Sequence, residues 1–99
     1  MIPESHVWVF NGGRQFPGGV FTSVEKAEAW IERHGLSGVL TAYPVDEGCF
    51  GWAIRTGMTG LKPEKLEVKR HDREFIAGFS TACQEHFHYL EGKRAGKSE

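Results

Sequence analysis

Two histidines stand one residue apart in QEHFHY, residues 84–89, with Glu85 just before them and Phe87 and Tyr89 interleaved. Imidazole readily ligates zinc, nickel or copper, and it exchanges protons near neutral pH. Whether the pair can act as a unit depends on the backbone beneath it. On a strand, His86 and His88 project from one face while Phe87 and Tyr89 project from the other. On a helix the two imidazoles lie about 200° apart and cannot share an ion. A third ligand would have to come from elsewhere. His6 is the candidate if the first and last strands pair, whereas Glu85 faces the wrong way. The plainer alternative is an edge strand whose polar side chains discourage sheet-to-sheet association. No Cys/His pair has a diagnostic zinc spacing, so that alternative is the simpler one.

Three other stretches bear on chemistry. Cys83-x-x-His86 pairs a thiol with a base, but only a helical, cleft-lining segment would let them meet, and no orienting acid is identifiable. Cys83 and Cys49 read better as small buried apolar side chains. NGGRQFPGG (11–19) is glycine-rich and holds Arg14, yet it lacks the P-loop pattern and does not open a helix, so a hairpin turn explains its glycines. Lys62, Lys65, Lys69, Arg70 and Arg73 alternate with Glu64, Glu67 and Asp72, which marks a solvated segment rather than a one-sided nucleic-acid surface.

The elements that must position these residues follow from periodicity and punctuation. HVWVF (6–10), ended by NGG, predicts a strand, and QFPGGVF a short returning arm paired chiefly at Gly19 to Phe21, because Pro17 weakens what precedes it. TSVEKAEAWIERHG (22–35) predicts a helix. Thr22 and Glu25 have capping-box spacing, Val24, Ala27, Trp30, Ile31 and His34 form one stripe, and Gly35 stands at the stop. LSGVLTAYPVD (36–46) is apolar on both alternating faces, as an interior strand is, and weakens at Pro44. GCFGWAIRTG (48–57) predicts a short helix with Phe50, Ala53 and Ile54 inward and Trp52 flanking. Residues 57–73 predict a solvated connection or a loop around a short strand at Leu66 to Val68. DREFIAGF (72–79) predicts a short helix capped by Asp72, then a last strand. The expected fold is one α+β domain over residues 1–90, with a small antiparallel sheet, the 23–34 helix on one face, and a disordered tail over 91–99.

Composition sets the outer limits. A chain of 99 residues, 39% hydrophobic and 25% charged with a formal net charge of −1, is a globular domain with no global field towards nucleic acid or an anionic membrane. Two cysteines without a secretory leader suit a reducing, cytoplasmic setting. No apolar run is long enough to span a bilayer. No cofactor fingerprint is visible. Large aromatics are numerous, and His6, Trp8 and Phe10 share one face of the first strand while Val7 and Val9 share the other. The valine face suits packing under the helix. The Trp8/Phe10 face is then either covered by later segments or left as a binding patch, so Trp8, Phe10, Arg14 and Trp52 are the interface candidates.

HVWVFNG, FPGGVFTS, AEAWIERHGLSGVLTAYPVD, WAI and EFIAGFSTACQEHFHY together resemble a family of small bacterial proteins known only as a domain of unknown function. The resemblance covers about residues 6–90 and implies a compact α+β protein without implying an activity, substrate or cofactor. The expectation for function is therefore a non-enzymatic binding protein, with a protein partner or a homodimer, in a bacterium or its mobile elements. The alternative is a metal-binding protein or metal-dependent enzyme built on His86, His88 and His6.

Overall fold

A computed structural model describes residues 6–95. The chain runs β1 (His6–Asn11), β2 (Gly19–Phe21), α1 (Val24–His34), β3 (Gly38–Pro44), α2 (Cys49–Thr56), α3 (Pro63–Lys69), α4 (Arg73–Gly78), β4 (His86–Leu90) and β5 (Lys93–Arg94). The described residues group into two compact units, one of 6–45 with 84–95 and one of Asp46–Cys83. The fold class is α+β, as the sequence predicts.

The first unit is a five-stranded antiparallel sheet in the order β2-β1-β3-β4-β5. β2 pairs over Gly19 to Phe21, the span left once Pro17 and Gly18 are discounted. β3 is the central strand, interior as its two apolar faces predict. α1 is capped one residue later than the Thr22–Glu25 spacing predicts, because Ser23 takes the extended cap conformation and its hydroxyl accepts from the Lys26 amide at 3.2 Å. Gly35 closes the helix in the left-handed conformation at φ 63°, and the Leu36 amide reaches back to the Ile31 carbonyl at 3.0 Å. Ala27 and Ile31 are fully buried and Val24 and Trp30 partly so, whereas His34 is exposed and only its ring edge meets Trp30.

The face of the sheet under α1 is not the valine face. Phe10, Leu40 and Tyr89 form the core with Ala27 and Ile31, and Trp8, Phe21 and Phe87 pack around them. The strand HVWVF is apolar on both sides, so its own pattern cannot decide. Register decides. Trp8 lies opposite Phe21 and Ala42, and Phe10 lies opposite Leu40, which lies opposite Phe87. Gathering these large rings under one helix removes more apolar area from water than burying two valines would, at about 25 cal/mol per Å².

A polar tether fixes the far end of the sheet to α1. Glu28 Oε2 accepts from the Tyr89 hydroxyl at 2.5 Å and from Arg94 Nε at 2.6 Å, and the Arg94 guanidinium lies 3.9 Å above the Phe87 ring. Burial pushes the Glu28 carboxyl up, but the bonds from Tyr89 and Arg94 outweigh it and leave the group below its ordinary value. Burial, and then the bond to Glu28, push the Tyr89 hydroxyl up to about 12. This tether, with a Glu91-Gly92 turn at positive φ, makes a strand of Lys93 and Arg94. The tail expected to be unstructured from residue 91 is therefore ordered through this hairpin, and residues 96–99 lie outside the described region.

The second unit differs from expectation at two places. Residues 63–69 form α3 rather than a loop or a strand at Leu66 to Val68. Pro63 pre-sets its first turn, and Glu67 pairs with Arg70 and His71 one turn on. No residue of α3 is buried, which is why no apolar stripe announces it. In α2, Trp52 is buried with Phe50 and Ala53 rather than flanking them, and Ile54 is half-buried. α4 starts where Asp72 predicts, its Oδ1 accepting from the Glu74 and Phe75 amides. Phe50, Phe75 and Phe79 form a three-ring cluster with centroids 5.1 to 5.6 Å apart.

Two outcomes test this packing. At Gly38 a Cβ would meet the Asn11 carbonyl oxygen and come within 2.7 Å of the Phe10 ring, so Gly38→Ala should lower unfolding free energy by about 2 kcal/mol or more in urea titrations. The Tyr89 hydroxyl has a folded pKa raised from 10.0 to about 12. Its stabilisation is complete below about pH 10 and is lost as pH rises towards 12, at most about 3 kcal/mol. Tyr89→Phe should be less stable than the parent at pH 8 and should show a smaller loss between pH 10 and 12 when denaturation midpoints are compared.

Candidate functional site

Once α1 claims one face, alternation assigns every strand residue on the other. Val20, Val9, Thr41 and His86 form a row across β2, β1, β3 and β4. Asn11, Val39 and His88 form the next row, and Val7 lies opposite Tyr43 in a third. Leu90 continues the strand beyond His88 on the same side. Val20 and Leu90 are each 62% exposed, His86 and His88 are exposed, and Val7, Val9, Val39 and Thr41 are half-buried. No side chain in the first two rows carries a carboxylate, ammonium or guanidinium group.

The residues of QEHFHY are held from both sides. Gln84 is 2% exposed, and its amide nitrogen donates to the Ala42 carbonyl at 3.1 Å. The Ala42 amide donates to the Glu85 carbonyl at 2.9 Å, so the approach to β4 is pinned to β3 before regular pairing begins. The His86 and His88 rings lie 5.3 Å apart with an interplanar angle of 80°. His86 Nδ1 is 2.8 Å from the Gln84 carbonyl oxygen. A carbonyl only accepts, so Nδ1 carries the proton and, in the neutral ring, Nε2 holds the lone pair. The strand reading of residues 86–90 is thus the observed one, and the pair shares a face.

His6 is on the other face. It lies on the Trp8 side of β1, and β3 separates β1 from β4, so the route by which it would join His86 and His88 is closed. Among the described residues no three His, Cys, Asp or Glu side chains gather as a metal group. Cys83 is exposed, against the expectation of a small buried side chain, and Cys49 is half-buried. Burial pushes the Cys49 thiol up, away from a reactive thiolate. The Cys83–His86 segment is not helical, which removes the geometry that a nucleophile–base pair needs.

The interface candidates separate. Phe10 is 3% exposed and lies edge-on to Trp30, so it presents almost nothing to a partner. Trp8 is half-buried and stacked on Phe87 at 5.7 Å. Trp52 is 7% exposed in the second unit. Arg14 is exposed in the β1–β2 turn. Three surface residues escape the sequence reading: Phe16, 73% exposed in that same turn, with Val20 and Leu90. Phe16 has a signal that could have found it, since an aromatic beside Pro17 within a glycine turn has no strand to bury it. Val20 and Leu90 have none before the register is known.

No helix among the described residues is long and apolar enough to cross a membrane. The comparisons with curated proteins and with solved structures give no match. Residues 7–95 match the family model described as Domain of unknown function (DUF7710), and the chain belongs to that family.

Proposed function

We propose that the chain is a non-enzymatic interaction module that docks a protein on the valine–histidine face of its sheet. One observation carries this reading: Val20, Val9, Thr41 and His86 make a charge-free row across four strands with both its ends exposed. Charged residues are depleted at the centre of protein interfaces because their desolvation is costly. The Val20–His86 and Asn11–His88 rows have no carboxylate, ammonium or guanidinium to desolvate, Lys93 standing opposite Leu90 at the edge of the face. Its β-branched side chains are stiff at χ1, so ordering them against a partner costs little entropy. The turn carrying Phe16 and Arg14 leaves the sheet at Asn11, beside the Val39–His88 row. It adds an exposed aromatic and a guanidinium at the margin, where anchors of this type serve binding. The finer reading is an accessory protein of a bacterium or its mobile elements, supported by the family resemblance, working in the cytoplasm, where a chain with two free cysteines is at home.

Photo-crosslinking tests the surface directly. With p-benzoylphenylalanine at Val20 or at Leu90, irradiation in cells should give one discrete adduct, and the same probe at Glu64 on α3 should give none. Adding Thr41→Asp should remove the adduct by placing a charge in the row. Absence of any adduct from positions 20 and 90 above that from position 64 would overturn the reading.

A further inference from the structure

We propose that His86 and His88 are half of a transition-metal site, completed by the same two residues of a second copy of this chain. The inference deepens the interaction reading by naming an occupant for that face. Three observations carry it.

The first is separation. Two imidazoles on one tetrahedral zinc, with Zn–N of about 2.1 Å, hold their ring centroids about 5 Å apart. The rings of His86 and His88 are 5.3 Å apart, exposed, and on one side of the same strand. Alternation along β4, held extended by its pairing with β3, supplies this spacing.

The second is the hydrogen bond behind His86. A metal-ligating histidine donates its other ring N–H to a carbonyl, carboxylate or water, which fixes the tautomer and turns the free nitrogen outward. His86 Nδ1 has this partner in the Gln84 carbonyl at 2.8 Å. The partner is itself immobile, because Gln84 is buried and bonded through its side chain to β3. A histidine that merely decorates a surface has no need of a buried residue to orient its ring.

The third is donor count. Among the described residues no third His, Cys, Asp or Glu gathers with the pair, and a four-coordinate ion needs two more donors. A two-fold axis through the ion supplies them as a second pair of imidazoles, which is the self-complementary arrangement that dimers use most. Thr41 and Val39, the cross-strand neighbours of the two histidines, bring no like charges together across that axis. Exposed Leu90, two residues beyond His88, lies on that face with Lys93 opposite it on β5. Neutral imidazole donors suit zinc, copper or nickel rather than magnesium or calcium.

The test uses the full chain without an affinity tag, stripped with EDTA. Zinc should convert the monomer to a dimer in sedimentation velocity at one ion per two chains, reversibly on adding EDTA. Cobalt should give the intense visible absorption of a tetrahedral nitrogen site. His86→Ala and His88→Ala should each weaken zinc binding at least about tenfold in calorimetry and abolish the dimer, while His6→Ala should change neither. Both histidines are exposed, so the variants should keep the parent's circular dichroism. His86→Asn, which retains a polar side chain, should behave as His86→Ala does. Zinc binding weaker than about 100 µM, one ion per monomeric chain, or a zinc dimer that survives the double alanine variant would overturn the proposal. A metal-independent crosslink from Val20 to a protein of different mass would also overturn it, yet would leave the interaction face standing. A zinc dimer without crosslinks from either Val20 or Leu90 would uphold the metal site while overturning the wider docking surface.

Discussion

Everything on the outer face of the sheet depends on which side chains α1 covers. Successive residues of a strand point to opposite sides, so the burial of Phe10, Leu40 and Tyr89 against Ala27 and Ile31 is also a decision about Val9, Val39, Thr41, His86 and His88. A shift of one residue in β4 would put both imidazoles against the helix and Phe87 and Tyr89 in water. The cost of burying two imidazoles and exposing two large rings keeps that alternative empty. The Glu28–Tyr89–Arg94 tether adds direction to what hydrophobicity alone leaves loose: it fixes how far β4 slides along α1. Placement of the histidine pair is thus a by-product of core formation, with Gln84 supplying the last adjustment.

How much of this was legible in the sequence depended on whether a segment carries its own instructions. α1 has a stripe, a hydroxyl cap and a terminal glycine, all local, so its limits were legible to within a residue. β2 was bounded by Pro17, and α4 by Asp72. α3 was illegible because its stability comes from Pro63 and from charge pairs on a helix with no buried residue, and neither produces apolar periodicity. β5 was illegible for another reason. Lys93 and Arg94 look like solvent-seeking residues, and only the positive-φ turn at Glu91-Gly92 and a carboxylate on α1 recruit them.

The site divides in the same way. That His86 and His88 share a face was legible, since alternation needs no partner to be known. That His6 lies on the opposite side was not, because it follows from β3 standing between β1 and β4. That the Trp8/Phe10 side rather than the valine side lies under the helix was not legible for the same cause, and the expectation for the valines is the one overturned. HVWVF has two apolar faces, and only the cross-strand partners Ala42, Leu40 and Phe87 say which of them is wet.

The order of the strands has a consequence for how the molecule assembles. β1, β2 and α1 are neighbours in sequence, and β3 joins them after one short link, so their contacts close small loops. β4 pairs with β3 only after the chain has travelled through residues 45–85 and come back. The entropy of closing that long loop must be met before any of the pairing rewards it. Of the four longer strands, β4 is therefore the costliest to recruit from the unfolded chain. The two imidazoles come into register only when the sheet is nearly whole, which makes their mutual proximity a late marker of the native state.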